Sequence, residues 1–329
     1  MKRIALALLF GLATTARAQQ APQVVKLVDG REIHVSGLRR WTVAMIQDSL
    51  GKYSPADSLQ SHACAAALRY KLHFADASAI TLMMAPHRPD IIFVDVREPQ
   101  DSSRVRYRDV PLDTTSPKPE WQSVTTIMAR RPGQFRKGVM AHFGEHVLSP
   151  TDTLAKEVVT FLAAQRSPAN RSAALSVLRT SANYRDRGVA AVVLGNYPSD
   201  PEVWKALFDA MLETDGVVRG FAMETVERVT KNPVVTPDWR AAATTVHSVL
   251  DGTSLFLLPD MIQLLARRSD VEPQLAASFL AGGGEMLLNY LASAQPVRSR
   301  PAHALLVKLR GEDLGTDPAV WRRWIADLQ

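Results

Sequence analysis

The spacing of hydrophobic residues changes near residue 150 and divides the chain into two halves. Before that point, segments rich in β-branched and aromatic residues, such as Ile91 to Val96, alternate with segments whose apolar residues recur every three or four positions. After it, the strand pattern ends and short amphipathic helices follow one another. The pattern predicts a small α+β domain over 22–148 and an all-α region over 150–329, so that the fold is mostly α overall.

The first half is predicted to contain a hairpin and two helices. Val24 to Val28 and Arg31 to Val35 form the hairpin, because Asp29-Gly30 between them tolerates the positive φ angles of a type I′ turn. Helical spacing of apolar residues predicts one helix over Leu38 to Leu50 and a second over about Asp57 to Phe74. With the strand at residues 91–96, these elements are typical of a small α+β domain.

A basic strand is predicted to follow and to pair with the strand at 91–96. Arg104, Arg106 and Arg108 alternate with apolar or aromatic residues, which is the period of a strand with one basic face. We interpret this face as solvated surface. As an alternative, these arginines receive an anion, and the front domain binds a small ligand or a peptide at its exposed sheet edge.

The second half repeats one helix-start signal, in which a capping side chain precedes proline. The signal occurs at Ser167-Pro168, Asp200-Pro201, Thr236-Pro237 and Asp317-Pro318. The first three starts are 33 and 36 residues apart, and the helices between them are expected to begin near Tyr184, Val217 and Ser254. Helix pairs at this period cannot bury their apolar faces alone, so the pattern predicts an α-solenoid.

The apolar positions of these helices follow the same period. Small residues recur at intervals of 16, at Ala174, Ala190, Ala206 and Ala222. Four residues beyond three of them, on the same helix face, stand Leu178, Leu194 and Val226. Small residues let neighbouring helices approach closely, and the larger ones fill the space between them. The caps and the core positions therefore indicate one repeat.

The repeat region, 150–329, resembles the short bacterial form of the HEAT-repeat family. The resemblance rests on an Arg-x-x-Ala-x-x-x-Leu/Val pattern, which occurs at Arg187, Ala190 and Leu194 and again at Arg219, Ala222 and Val226. It implies a rigid curved surface that docks another macromolecule and carries no catalytic residues. The repeat arginines are then expected to bond within the helix stack. Pro259 and Gly282-Gly283-Gly284 interrupt the pattern, so the later repeats are expected to be degenerate.

One motif points to chemistry instead. His142-Phe143-Gly144-Glu145-His146 matches the His-x-x-Glu-His signature of the inverzincin peptidases. On one helix face, His142 and His146 would bind zinc, and Glu145 would act as the general base toward a metal-bound water. Glu224, 78 residues after His146, would supply the third ligand. Because Gly144 weakens the required helix and Glu224 lies inside the repeat pattern, we interpret the motif as structural and keep a zinc metallohydrolase as the alternative.

The amino terminus has the pattern of a cleaved secretory signal over residues 1–18. Lys2 and Arg3 precede an apolar run from Ile4 to Ala13, and Ala16-Arg17-Ala18 fits a cleavage site. This predicts a periplasmic or secreted protein, and no later stretch is long enough to predict a membrane span. Loss of the leader's three basic residues lowers the formal net charge from +6 to +3, which does not favour nucleic-acid binding.

These observations together favour an exported, non-enzymatic scaffold that binds a protein partner through its helical-repeat surface and needs no cofactor. Cys64 is the only cysteine, so an internal disulfide and a cysteine-based metal cluster are excluded. Its alanine neighbours predict a small buried side chain. Catalysis stays open only through the zinc hypothesis.

Overall fold

The computed structural model describes residues 21–53, 58–84, 89–114 and 119–328. The predicted leader, residues 1–18, lies outside these ranges, as does Asp57, the predicted start of the second helix. None of the helices within these ranges is long and apolar enough to cross a lipid bilayer.

A four-stranded sheet lies near the amino terminus, and two helices cover one of its faces. The strands are β1 (Gln23–Lys26), β2 (Glu32–Ser36), β3 (Asp76–Leu82) and β4 (Ile91–Arg97). Their spatial order is β1-β2-β4-β3, with β2 and β4 parallel and both outer pairs antiparallel. The helices α1 (Val43–Gly51) and α2 (Cys64–Lys71) share a hydrophobic core with this sheet.

Strand β4 is buried on both faces because it lies between two layers of helices. Ile92 and Val96 contribute to the core with α1 and α2. Phe93 and Asp95 alternate with them and contact Arg298 of the helical half. The predicted strand is confirmed, and two-sided burial explains why almost all of its residues are apolar.

The predicted hairpin is confirmed, but its turn is longer than a type I′ turn. Leu27 pairs with Arg31, since the Leu27 N–H donates to the Arg31 carbonyl at 2.8 Å. The loop therefore has three residues, and only Gly30 adopts a positive φ, of +84°. This is the geometry of a three-residue hairpin loop with glycine in the left-handed position.

Both predicted helices of the first half are present but shorter than expected. Helix α1 begins at Val43, because the Thr42 side chain accepts a hydrogen bond from the Met45 N–H at 3.2 Å and caps it. Helix α2 buries Cys64, and burial raises the pKa of this thiol to about 12. Tyr70 of the same helix is 75% exposed.

The predicted basic strand is wrong. After β4 the chain forms a 3₁₀ turn over Pro99–Arg104 and then runs extended along the helical half. The Arg106 N–H donates to Thr253 Oγ1 at 3.1 Å, and Arg108 forms an isolated bridge with Glu213. The partner of β4 is instead β3, whose alanine, serine and threonine residues gave too weak an apolar pattern to be predicted.

Thirteen α-helices follow in the described part of the chain. They are α3 (Pro119–Arg130), α4 (Pro132–His142), α5 (Thr153–Ala164), α6 (Pro168–Thr180), α7 (Tyr184–Leu194), α8 (Pro201–Ala210), α9 (Gly216–Val229), α10 (Ala243–Leu250), α11 (Leu258–Arg267), α12 (Ala276–Leu280), α13 (Glu285–Leu291), α14 (Pro296–Arg310) and α15 (Pro318–Ala326). Helices α3 and α4 belong to the same hydrophobic core as the later helices. The predicted boundary between 148 and 150 therefore falls inside the helical core.

The helices pack in pairs and in two layers. Helix α6 packs on α7 and α8 packs on α9, while α6 also contacts α8 and α7 contacts α9. The second layer continues from α9 to α11 and from α11 to α14, and α3 contacts α7 at its start. We call α3, α7, α9, α11 and α14 the α7 layer. The apolar repeat positions are buried between the helices, at Ala174, Ala190, Ala206, Ala222, Leu178, Leu194 and Val226.

Three of the four predicted cap-proline starts begin helices. Ser167, Asp200 and Asp317 accept hydrogen bonds from N–H groups in the first turns of α6, α8 and α15. The fourth, Thr236-Pro237, is wrong, because Asp238 accepts from the next N–H groups and the regular helix begins only at residue 243. Pro259 lies in the first turn of α11 and does not interrupt a helix.

Candidate binding groove

The His-x-x-Glu-His motif lies at the end of a helix. Helix α4 ends at His142, and Gly144 follows with a φ of +78°. The predicted helix through His142 and His146 is therefore wrong, since glycine in this conformation ends the helix between them. His142 Nε2 lies 2.8 Å from Asn196 Oδ1, and burial lowers the pKa of this imidazole.

The two carboxylates of the zinc hypothesis are held in ion pairs. Glu145 pairs with Arg228 and, at 3.0 Å, with Lys231. Glu224 pairs with Arg136 and, at 3.5 Å, with Arg228. Within the described ranges, no three His, Cys, Asp or Glu side chains are grouped closely enough to hold a metal ion. These pairs tie the chain around α4 to helix α9.

The two repeat arginines are bonded inside the helical array. Arg187 donates to the Glu213 carboxylate at 2.8 Å and to the Ser181 carbonyl at 2.7 Å. Arg219 donates to the carbonyls of Glu213 at 2.6 Å and Thr214 at 2.7 Å. Each arginine thus reaches a carbonyl six residues earlier, just beyond the preceding helix.

Two of the three arginines of the predicted basic face are paired with the helical half. Arg104 pairs with Asp251 at 2.6 Å and with Glu285 at 3.1 Å. Arg108 lies 3.7 Å from Asp209. The interpretation of this face as solvated strand surface is therefore wrong for Arg104. The anion hypothesis is weakened, because Arg104 and Arg108 are already paired with carboxylates of the protein.

A buried group of charges joins the sheet to the helices. Arg97 of β4 is fully buried and lies 3.2 Å from Asp251 and 3.4 Å from Glu285. Burial lowers the pKa of Arg97, and the charge of Asp251 opposes this shift. A second buried pair joins Asp95 to Arg298 through two hydrogen bonds of 2.5 and 2.7 Å. We call these side chains the interface cluster, which consists of Arg97, Arg104, Asp251, Glu285, Asp95 and Arg298.

A cavity of about 650 Å³ lies on the α7 layer and contains none of these charges. It is lined by the α3–α4 turn, the starts of α7 and α11, and one face of α9. Its floor is apolar and includes the buried side chains of Met128, Phe221 and Leu257. Two large apolar side chains at the border of the cavity are exposed to solvent: Phe256 is 54% exposed and Val217 is 39% exposed. We call this cavity the groove.

Two glycines keep the groove open. A Cβ added at Gly220 of α9 or at Gly133 of α4 would meet no atom within 4 Å other than its own helix and neighbours. Neither residue has a positive φ, so neither glycine is required by the backbone conformation. Their effect is to leave the floor of the groove uncovered, because a side chain at either position would project into it.

The described part of the chain before α3, which we call the sheet domain, holds one wall of the groove in place. Asp76 Oδ2 accepts hydrogen bonds from the Leu255 N–H at 3.0 Å and from the Tyr107 hydroxyl at 2.8 Å. The Tyr107 hydroxyl in turn accepts from the Ser254 N–H at 3.2 Å. Ser254 has a φ of +59°, which is costly for a residue other than glycine, so these bonds fix the turn that carries Phe256.

Carboxylates line one side of the groove. Asp260 of α11 is partly buried, and burial together with the negative charge of Glu224 raises its pKa. Glu224 is the other carboxylate of the lining. Burial and the charge of Asp260 raise the pKa of Glu227, which lies outside the groove, to about 7. On the opposite side, Arg185 is exposed and its guanidinium lies over the Tyr184 ring at 5.0 Å.

The groove could not be predicted from the sequence, because its residues come from four segments that only the helix packing brings together. One signal was visible: Gly216 immediately precedes, and Gly220 lies within, the helix predicted to begin near Val217, and glycines four apart leave a helix face uncovered. Phe256 was a second signal, as an aromatic residue close to the helix start predicted near Ser254.

Comparison with known proteins adds no family to this description. No protein-family model matches the chain, and neither a curated protein nor a solved structure is similar to it at a significant level.

Proposed function

We propose that this chain is a non-enzymatic scaffold, a HEAT-like solenoid that docks a protein partner in the groove. The observation that carries the proposal is an open, apolar-floored cavity on the α7 layer, bordered by the exposed side chains of Phe256 and Val217. Exposed apolar surface of this kind, rimmed by charges, marks binding sites more often than it occurs by accident. The proposed activity requires no cofactor.

The contacts of the repeat arginines support a HEAT-like repeat. Arg187 and Arg219 are 32 residues apart, and each donates to the carbonyl six residues before it. A guanidinium at the carbonyl end of the preceding helix is favoured by the helix dipole. The pairs α6/α7 and α8/α9 contact each other layer by layer, as repeating helix pairs do in a solenoid.

The groove is not the only depression on the α7 layer. A second cavity, of about 280 Å³, lies between α9 and α11, and a third, of about 500 Å³, lies between α11 and α14. Arg267 lines both of them. A series of depressions along one layer suits an extended polypeptide partner better than a compact metabolite.

Export belongs to the same proposal. The basic residues, the short apolar run and the Ala16-Arg17-Ala18 site support a cleaved leader. Amino-terminal sequencing of the protein from its own cells tests this part, with Gln19 expected as the first residue. An amino terminus at Met1 would contradict export by a cleaved signal.

Site-specific photocrosslinking tests docking in the groove. Phe256 is replaced by p-benzoyl-phenylalanine, and the matched control carries the same residue at Tyr70, which is 75% exposed on α2. We expect a partner adduct from position 256 and none from position 70. The substitution Gly220→Trp fills the groove and should remove the adduct, whereas Gly51→Trp, also in open space, should not. Equal adducts from positions 256 and 70, or an adduct that survives Gly220→Trp, would contradict the proposal.

A further inference from the structure

We infer that the segment bound in the groove carries a large apolar side chain and, within a few residues of it, a lysine or arginine. The apolar side chain fills the space beside Gly220, and the cation pairs with Asp260. This inference rests on the proposed function and adds the chemistry of the partner to it.

Asp260 is the reason to expect a cation on the partner, because no cation of the protein pairs with it. The carboxylate lines the groove and is partly removed from water. Among the described residues, no Lys, Arg or His nitrogen lies within 4 Å of it. Burial and Glu224 both disfavour its ionised form, whereas Arg267 and the N-terminal turn of α11 favour it. A carboxylate in this position gains from a cation that arrives with a ligand.

The other carboxylates near Asp260 are already paired with arginines of the protein. Glu224 is paired with Arg136, and Glu227 lies 3.5 Å from Arg267. Neither arginine lies within 4 Å of Asp260, and Glu224 is held by Arg228 as well as by Arg136. Of the two carboxylates that line the groove, Asp260 is therefore the one without a paired cation among the described residues.

The charge on the opposite side of the groove does not favour an acidic partner. Arg185 is exposed, so water already solvates its guanidinium, and the ring of Tyr184 contacts it at 5.0 Å. An exposed cation gains little from an ion pair, whereas a partly desolvated carboxylate gains more. The structure thus favours a basic partner segment over an acidic one.

The apolar residues of the groove are the reason to expect a large apolar side chain on the partner. Met128, Phe221 and Leu257 are buried at its base, and no side chain at Gly220 covers them. The apolar surface exposed to water at the groove belongs to Phe256 and Val217. Removing it from water stabilises a complex by roughly 25 cal/mol per Å² of apolar area, so a large aliphatic or aromatic side chain is the group expected there. Asp260 stands four residues after Phe256, which keeps the apolar and the charged contacts close together.

Selection from a random peptide library displayed on phage tests the inference with a defined probe. The full chain is the bait, and phages that also bind the Gly220→Trp variant are removed. We expect the enriched peptides to share a large apolar residue and a lysine or arginine within about four positions, because Phe256 and Asp260 are themselves close together. Binding of a synthetic enriched peptide should weaken about ten-fold with Asp260→Asn and remain unchanged with Asp48→Asn, an exposed aspartate of α1.

A charge exchange separates a direct ion pair from a general effect on folding. Asp260→Lys should bind the enriched peptide poorly and recover binding when the basic residue of the peptide is replaced by glutamate. Enriched peptides without a cation, or an affinity unchanged by Asp260→Asn, would overturn the inference and leave groove docking intact. No enrichment once the phages that bind Gly220→Trp have been removed would overturn groove docking of a linear segment itself.

Discussion

The interface cluster and the groove both remove charged side chains from water, but they balance those charges differently. In the interface cluster every buried charge meets an opposite one: Arg298 binds Asp95 through two hydrogen bonds, and Arg97 lies between Asp251 and Glu285. In the groove, Asp260 meets no opposite charge within 4 Å among the described residues. A balanced buried group stabilises one arrangement of two layers, whereas an unbalanced one is completed by a ligand.

The two regions also differ in what removal of a charge should do. In the interface cluster, loss of one partner leaves the other charge buried without compensation, which is costly. In the groove, loss of Asp260 removes an uncompensated charge, which should stabilise the free protein. The same kind of substitution is therefore expected to have opposite signs in the two regions, and this difference can be measured.

The largest effect is expected from Asp95→Ala. Asp95 is fully buried, and its removal leaves the Arg298 guanidinium without its carboxylate and the Tyr290 hydroxyl without its acceptor. We expect a loss of about 3–5 kcal/mol in the free energy of unfolding, measured by urea denaturation.

The control for Asp95→Ala is Asp48→Ala, at an exposed position of α1, which should change the free energy of unfolding by less than about 0.5 kcal/mol. The double variant Asp95→Leu with Arg298→Met, in which neither charge is left alone, should recover much of the lost stability. An Asp95→Ala variant as stable as the unaltered chain would show that the interface cluster does not hold the sheet on the helices.

The elements that sequence patterns predicted correctly are those fixed by local contacts. Ser167 and Asp200 cap the helices that begin beside them, and each cap needs only an N–H two or three residues away. Strand β4 was predicted because a strand buried on both faces consists mostly of β-branched and aromatic residues. The period of Ala190 and Ala222 indicated which residues lie between helices, because each helix buries the same face.

The failures are positions where a distant residue decides the conformation. Arg104 and Arg108 alternate as in a strand, but carboxylates more than 100 residues away, such as Asp251 and Asp209, hold them in an extended segment along the helices. The groove could not be predicted for the same reason, because Met128, Gly220 and Phe256 meet only after the helices have packed.

The next largest effect is expected from Tyr107→Phe, which tests whether the sheet domain positions the groove wall. The variant keeps the ring that lies under Arg219 but loses the hydroxyl that bonds Asp76 and Ser254. We expect a loss of about 1–2 kcal/mol in the free energy of unfolding. Crosslinking yield from position 256 should fall as well, because the strained turn is no longer fixed.

Tyr70→Phe, at an exposed tyrosine of the same domain, is the matched control for Tyr107→Phe and should change neither the stability nor the crosslinking yield. If Tyr107→Phe lowered stability but left the crosslinking yield unchanged, the sheet domain would contribute to the fold without supporting the groove.

A smaller effect is expected from pH, through Glu227. Burial raises the pKa of this carboxyl from 4.5 to about 7, so the folded chain holds the proton more tightly than the unfolded chain. Its contribution to stability is complete below about pH 4.5 and is lost as the pH rises to about 7, by about 1 kcal/mol after solvent screening is considered. Urea denaturation of the unaltered chain and of Glu227→Gln across this range measures the contribution, and equal slopes for both proteins would contradict it.

The smallest effect is expected from Asp260→Asn, in the groove. Asp260→Asn should raise the free energy of unfolding of the free protein by about 0.5 kcal/mol at pH 7.5, because a partly desolvated and unpaired carboxylate is replaced by a neutral amide. Lowering the pH should abolish the difference between the two proteins, since Asp260 is then protonated in both the folded and the unfolded chain. Asp48→Asn should show no difference at either pH. A destabilising Asp260→Asn would place Asp260 with the interface cluster, as a charge that the folded chain itself needs, and would remove the reason to expect a cation from a partner.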